Sequence, residues 1–236
     1  MGGRYSGFQV QENAVTIQSE IDRAAGLLLR EQVVTTGSSR TDAGVHARQN
    51  FLHFDTEKPL HPQFVYKMNA ILPHDIVVKA VYAVDDALHS RFAATGRAYE
   101  YTLYTSKDPF LTDRGYFYPY RMDMEQLRAA AEIIRGYIDF STFSKRNTQV
   151  KTFNCRIMES YWTEYDGRIV YSVSANRFLR GMVRGLVGTM LRVGRGKLTL
   201  DEFREVIESK DCTKADFAVP PQGLCLMTVM YPEGAF

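Results

Sequence analysis

The segment at residues 37–47 combines residue types that could carry out nucleophilic or acid–base chemistry. Its sequence, Gly-Ser-Ser-Arg-Thr-Asp-Ala-Gly-Val-His-Ala, places the cation of Arg40 two positions before the carboxylate of Asp42, among small residues. A loop of this kind between two strands can hold a carboxylate at a rigid point that a substrate can reach. The same composition fits an Asx-turn closed by Asp42 beside a surface ion pair of Arg40, and composition alone favours that simpler interpretation.

Metal chemistry is not indicated by the spacing of the possible ligands. Asp42 and His46 are four residues apart, which brings two ligands together only on a helix. Gly44 and its turn-forming neighbours argue against a helix there, so we expect His46 to be structural. The other histidines and the three cysteines are scattered, without ligand spacing or a C-x-x-C pair. The sequence therefore predicts no metal site and no disulfide.

The location of the chain follows from the same features. Widely spaced free thiols fit a reducing cytoplasm. The first residues lack the apolar core of a signal peptide, and no apolar run approaches the length of a membrane span. We therefore expect a soluble cytoplasmic protein without a membrane partner.

Charge is distributed unevenly along the chain. The totals of 29 Lys+Arg and 27 Asp+Glu give a net charge of only +2, but residues 167–200 contain basic side chains and no acidic one. Three of these arginines recur at the spacing of one helix face, and a second acid-free stretch covers residues 140–158. A solvated basic face is the alternative, but this segregation favours a phosphate backbone as the partner. The candidate phosphate-binding residues are Arg177, Arg180, Arg184, Lys145 and Arg146.

Hydrophobic periodicity and turn signals predict the elements that must position these residues. In the last strand of the first half, Tyr99 shares a face with Tyr101 and Leu103. The first half is predicted to contain helices at residues 15–30 and 64–72 and strands at 33–36, 48–55, 76–84 and 97–104. The second half is predicted to contain strands at 115–119, 153–164, 168–175 and 224–231, with helices that begin after Asp123, Asn176 and Thr199.

The order of these elements predicts an α+β fold. Both halves, residues 1–106 and 107–236, are variants of a split β-α-β arrangement, in which helices cover one face of a mostly antiparallel sheet. The first half lacks the opening strand, which normally lies centrally and whose absence would leave backbone groups of its neighbours unpaired. We therefore hypothesise that the true start of the protein lies upstream of Met1, or that this chain has been cut short.

Four motifs, in this order, resemble those of the bacterial tRNA pseudouridine synthase A family. They lie at residues 40–47 (Arg-Thr-Asp-Ala-Gly-Val-His-Ala), 97–101 (Arg-Ala-Tyr-Glu-Tyr), 176–184 (Asn-Arg-Phe-Leu-Arg-Gly-Met-Val-Arg) and 220–224 (Pro-Pro-Gln-Gly-Leu). The similarity runs from Arg4 nearly to the C-terminus. The chain departs from the family pattern at Ser39, where members often have glycine. It also lacks the strand's worth of residues that members usually carry before the segment at residues 3–9.

The resemblance implies an enzyme that isomerises uridine to pseudouridine at positions 38, 39 and 40 of the tRNA anticodon stem-loop, without metal or cofactor. It further implies a homodimer in which each tRNA spans both subunits. Each subunit would have two related RRM-like halves and a central active-site cleft. By position in the motifs, Asp42 corresponds to the nucleophile, Tyr99 to the active-site tyrosine and Arg40 to the arginine that flanks the nucleophile.

These residue types suit the chemistry that the resemblance implies. A carboxylate at Asp42 could attack the sugar or base covalently or abstract a sugar proton, and the sequence leaves both routes open. Tyr99 offers a ring face for the detached uracil and a hydroxyl for the C5 proton. The competing hypotheses are an RNA-binding module of the same architecture without catalysis, and a metal-dependent nuclease, for which the sequence shows no ligand cluster. Which tRNAs are modified is left open.

Overall fold

Helices and a mostly antiparallel sheet make up the protein, which confirms the predicted α+β class. The computed structural model describes residues 1–146 and 150–236. Contacts divide the chain into a first unit, residues 1–95 with 229–236, and a second unit, residues 96–228. No helix within the described ranges is both long and apolar enough to cross a membrane.

Two helices form most of the regular structure of the first unit. Helix α1 spans Ile17–Leu29, and Thr16 begins it with a capping box, in which side chains and backbone N–H groups satisfy each other. Helix α2 spans Phe64–Ile71 and packs on α1 around a shared apolar core. Both predicted helices are therefore confirmed. The core residues are Tyr5, Ile21, Ala24, Ala25, Leu29, Val33, Phe64, Met68, Leu72 and Ile76.

The strands of the first unit are much shorter than predicted. They are β1 (Thr36–Gly37), β2 (His46–Ala47) and β3 (Leu52–His53), and β1 pairs with β3 in antiparallel fashion. The strand predicted at residues 76–84 is wrong, because that segment is irregular. The side chain of Asn69 bonds both the N–H and the C=O of Val78, each at 2.8 Å, and so occupies backbone groups that a strand would use in a ladder.

Long strands form the sheet of the second unit. Strands β4 (Gly96–Tyr104), β6 (Ile157–Tyr165), β7 (Arg168–Ala175) and β8 (Leu224–Met230) lie in the order β8-β4-β7-β6, and β7 is antiparallel to both β4 and β6. The short β5 (Tyr116–Phe117) pairs with β4 in parallel. The predicted hairpin between β6 and β7 is confirmed. Its turn residues Asp166 and Gly167 both have positive φ, at 50° and 68°, as a tight hairpin turn requires.

Three helices complete the second unit. Helices α3 (Met124–Ile133) and α5 (Leu200–Glu208) begin at the predicted caps, and α3 packs on β6 and on α4 (Met182–Gly194). The prediction that a helix begins after Asn176 is wrong. The Asn176 side chain accepts hydrogen bonds from the N–H groups of Arg156 and Arg177. Helix α4 begins only at Met182, directly after Gly181, which has a φ of 75°.

Small residues let α4 approach the segment before β8 closely. A Cβ added at Gly185 would lie 2.7 Å from the ring of Phe217. One added at Gly188 would lie 2.2 Å from the carbonyl oxygen of Asp216. The glycines therefore fit α4 against the segment before β8.

Candidate functional site

Asp42 lies on the loop between β1 and β2, and its carboxylate is available for chemistry. The backbone C=O of Asp42 accepts a hydrogen bond from the N–H of Val45 at 3.1 Å, and Gly44 has φ 78°, so the backbone itself closes the turn. Within residues 1–146 and 150–236, the half-buried Asp42 carboxylate forms neither a hydrogen bond nor an ion pair. An Asx-turn closed by this side chain is therefore not what the structure shows.

Arg40 is exposed at the start of the same loop. Across the described ranges, no acidic side chain lies within ion-pair distance of its guanidinium, including that of Asp42. The surface ion pair of the simpler interpretation is thus not formed. Arg40 instead presents a cation to solvent two residues from the candidate nucleophile.

The entry to the loop is fixed by Asn50, a residue that sequence reasoning missed. Asn50 accepts hydrogen bonds from the Ser38 hydroxyl (2.8 Å) and from the Phe51 N–H (3.0 Å), and it donates to the Ser39 carbonyl at 3.0 Å. Ser39 is buried, and its hydroxyl has no partner among the residues described. The amide side chain of Asn50 therefore supplies hydrogen bonds to the residues after β1, where a longer strand would have formed backbone hydrogen bonds with its neighbour.

The other side of the loop is backed by residues 2–8. The Phe8 N–H donates to the Thr41 carbonyl at 3.1 Å, and the Gly44 N–H donates to the Tyr5 carbonyl at 3.4 Å. These bonds fall immediately before and shortly after Asp42, so they restrict the backbone that carries the carboxylate.

His46 is structural, as predicted. The side chain is only 5% exposed, and its Nδ1 accepts a hydrogen bond from the Gly2 N–H at 2.9 Å. This hydrogen bond fixes the orientation of the buried ring. No group of three metal-ligating side chains occurs in the part of the chain that the structure describes, and the three cysteines are free thiols.

Tyr99 lies on β4 of the second unit, opposite Val173 of β7. The side chain is half-buried, and the ring of Phe178 contacts it edge to face with centroids 5.0 Å apart. The next residues on the same face, Tyr101 and Leu103, are fully buried. Tyr99 is thus the accessible member of this row, and its ring contacts Phe178, which sequence reasoning did not single out.

The candidate phosphate-binding arginines do not share one helix face, so that prediction is wrong. Because α4 begins at Met182, Arg177 and Arg180 lie in the segment before it, and only Arg184 is helical. Arg184 is half-buried, and its Nε donates to the carbonyl of Val219 at 2.8 Å. Arg180 is exposed. Arg184 is therefore held by backbone oxygens, whereas Arg180 presents its charge to solvent.

The two acid-free segments do meet in the second unit. The Lys145 N–H donates to the carbonyl of Arg180 at 3.0 Å, and the aliphatic stem of Lys145 lies against Gly181. Stem packing of this kind leaves the ammonium at the surface. Arg146 follows and is exposed. Two of the five predicted basic residues, Lys145 and Arg180, thus lie next to each other in this unit.

Comparisons with known proteins identify similar chains over the whole length. A family model described as tRNA pseudouridine synthase matches residues 130–232. A protein of Parabacteroides distasonis is 45% identical over 100% of this chain and 94% of its own length. Proteins of Porphyromonas gingivalis and Bacillus subtilis are 41% and 36% identical, over 100% and 98% of this chain and 95% of their own lengths. All three relatives are named tRNA pseudouridine synthase A.

Proposed function

Because the chain belongs to the tRNA pseudouridine synthase A family, we propose that it isomerises uridine to pseudouridine in tRNA. The observation that carries the proposal is the identity of 45% with a relative of that name over the whole chain. The free Asp42 carboxylate on a braced loop supports it. The substrate positions we propose are 38, 39 and 40 of the anticodon stem-loop, as the sequence motifs implied.

Asp42 is proposed as the group that starts the reaction. The N1–C1′ bond of the uridine must break, the uracil must turn, and a C5–C1′ bond must form while C5 loses its proton. Asp42 serves either by attack on the sugar or base, or by removal of a sugar proton. Both routes need a carboxylate whose oxygens are not occupied by other groups. Within the described ranges, the Asp42 carboxylate has no hydrogen bond and no ion pair, which fits both routes.

Tyr99 is proposed to hold the detached uracil and to take or relay the C5 proton. Its half-buried ring offers one face to a base, and the edge contact with Phe178 limits its rotation. Arg40 is proposed as the cation that flanks the nucleophile on the substrate side, which its exposure supports. No metal or cofactor is part of this proposal.

The exposed basic residues of the second unit are proposed to bind tRNA phosphates. A uridine in a stacked stem must be flipped out at a cost of roughly a few kcal/mol, which phosphate contacts offset. Arg180 and Arg146 are exposed, and Lys145 lies beside Arg180. Arg177 and Arg184 complete the set, with Arg184 as the most restrained member because a backbone oxygen holds it.

The finer architecture and assembly also belong to the proposal. We propose related split β-α-β halves at residues 1–106 and 107–236, and the order β5-α3-β6-β7-α4-α5-β8 within the second of them fits such a half. We further propose that the protein is a homodimer and that it acts in the cytoplasm. The three free thiols fit the reducing environment of that compartment.

Release of tritium from tRNA labelled at C5 of uridine tests the function. The native protein should release tritium, and Asp42→Ala should lower the rate on the order of 1,000-fold or more while tRNA binding is retained. Asp86→Ala is the matched control, since Asp86 is an exposed carboxylate of the same unit. Release by Asp42→Ala at the native rate would refute the nucleophile. Binding without release by the native protein would favour the non-catalytic RNA-binding module.

A further inference from the structure

Residues 2–8 lie in no helix or strand, although they form the back of the Asp42 loop. Backbone hydrogen bonds join Phe8 to Thr41 and Gly44 to Tyr5, so the position of this segment sets the position of the loop. Backbone hydrogen bonds also join Ser6, Gly7 and Phe8 to residues 15–18, at the start of α1. Within the described part of the chain, residues 2–5 have no such bonds to α1, so side-chain contacts add to what holds that end of the segment.

Asp75 supplies that contact from a distant point of the chain, four residues after α2. Its Oδ2 accepts a hydrogen bond from the Nε of Arg4 at 2.9 Å, and its Oδ1 accepts one from the Tyr5 hydroxyl at 2.7 Å. The Asp75 side chain is 8% exposed. The hydrogen bond from Arg4 holds the pKa of Asp75 at about 2, and burial together with the bond to Asp75 raises the pKa of Tyr5 to about 12. The carboxylate is therefore ionised and the phenol neutral across the working range of an enzyme.

Gly7 lets the anchored segment touch the loop directly. It adopts φ 94°, which side chains rarely adopt, and a Cβ there would lie 2.9 Å from the Thr41 carbonyl oxygen. The same Cβ would lie 3.3 Å from the carbonyl carbon of Asp42. A change at Gly7 would therefore press on the backbone of the candidate nucleophile.

We propose that Asp75 is a positioning residue for Asp42, which acts by holding Arg4 and Tyr5 so that residues 5–8 fix the loop at Thr41 and Gly44. The inference rests on the proposed function, since it assigns Asp75 to the geometry of the nucleophile. Asp75 acts only through this segment and has no contact with substrate. Misplacement of a reacting group by about 1 Å can lower a rate by about 100-fold, so an anchor outside the site can control turnover.

The test compares turnover with substrate binding in variants of the anchor. Asp75→Ala removes both acceptors, Tyr5→Phe removes one donor, and Gly7→Ala disturbs the contact with the loop. We expect each to lower kcat, by about 10-fold for Asp75→Ala and Gly7→Ala and less for Tyr5→Phe, with the KM for tRNA within about twofold of native. Asp75→Asn keeps one oxygen acceptor and should restore part of the kcat that Asp75→Ala loses.

Two controls separate positioning from loss of stability. Gly167→Ala introduces a side chain at φ 68° with no atom within 4 Å, so it carries the backbone strain without contact to the loop. Glu20→Gln breaks the 2.8 Å ion pair with Arg23, which lies in the same unit on α1. Rates are measured well below the unfolding midpoint of each variant, so that only folded molecules are compared. Both controls should keep the native kcat.

Native kcat in folded Tyr5→Phe and Gly7→Ala would overturn the inference, and so would a rise in KM alone. Tyr5→Phe makes the smallest change, so it decides the matter if Asp75→Ala does not fold. Failure of the proposed function looks different, because then the native protein itself would bind tRNA without releasing tritium. An inactive Asp42→Ala with fully active anchor variants would leave the function intact and remove only the role of Asp75.

Discussion

The two units hold their candidate functional side chains by different means. In the first unit, Asp42 lies between strands of two residues each, and its loop depends on Asn50, Asp75 and a few backbone bonds. In the second unit, Tyr99 lies within a nine-residue strand that is paired with β7 along most of its length. A ladder spreads the restraint over many backbone bonds, whereas a tethered loop concentrates it in single side chains. The first unit should therefore lose function when one side-chain hydrogen bond is removed, a kind of change that the paired strands of the second unit should tolerate.

The largest expected effect concerns packing in the second unit. There the protein should be destabilised by a steric clash with an added side chain, and not by the loss of a hydrogen bond. Gly188→Ala would place a Cβ 2.2 Å from the Asp216 carbonyl oxygen, so the backbone must move. We expect the free energy of unfolding to fall by about 3 kcal/mol in denaturant titrations. Gly136→Ala is the control, because no atom lies within 4 Å of its Cβ. Equal stability of the two variants would contradict the close approach of α4 to Asp216.

A smaller loss is expected when a tether of the first unit is cut. Asn50→Ala removes the acceptor of the Ser38 hydroxyl and leaves the Ser39 carbonyl without its donor. We expect a loss of about 2 kcal/mol in unfolding free energy and a lower kcat, because these residues lead into the loop of Asp42. Asn154→Ala, at an exposed side chain of the second unit, should change neither quantity. Native kcat in Asn50→Ala would break the contrast between the two units.

The smallest expected effect is the acid dependence of the Asp75 anchor. The pKa of Asp75 is lowered from 3.8 to about 2, chiefly by the hydrogen bond from Arg4, so its stabilisation is complete above pH 3.8 and is lost as the pH falls through about 2. Asp75→Asn lacks this titration. Near neutral pH, the free energy of unfolding of the native protein should be about 1 kcal/mol higher than that of the variant, a modest value because Arg4 is exposed. This difference in unfolding free energy should vanish near pH 2. Urea unfolding at several pH values measures it, and a difference independent of pH would contradict the ion pair.

Local signals predicted elements well where the sequence specifies both ends. Thr199 with Glu202 predicted α5, and Asp166-Gly167 predicted the β6–β7 hairpin, because a cap and a tight turn act over three or four residues. The same logic was wrong at Asn176, a good capping residue whose side chain instead bonds the N–H groups of Arg156 and Arg177. It was wrong again at residues 76–84, where Asn69 occupies the backbone that alternating apolar residues assign to a strand. In both cases a polar side chain competed for backbone hydrogen bonds.

The sequence by itself determined the α+β class, the structural role of His46, and the motifs that identify Asp42 and Tyr99 as candidates. Residue type and short-range spacing carry that information, because caps, turns and motifs need only neighbouring residues. Tertiary structure decided that Asn50 and Asp75 restrain the Asp42 loop and that Arg184 differs from Arg180. The bonds of Asn50 join residues 11 and 12 positions apart, and the carboxylate of Asp75 meets residues about 70 positions away. No local pattern encodes a contact over the longer distance, since only the folded chain brings such groups within hydrogen-bond reach.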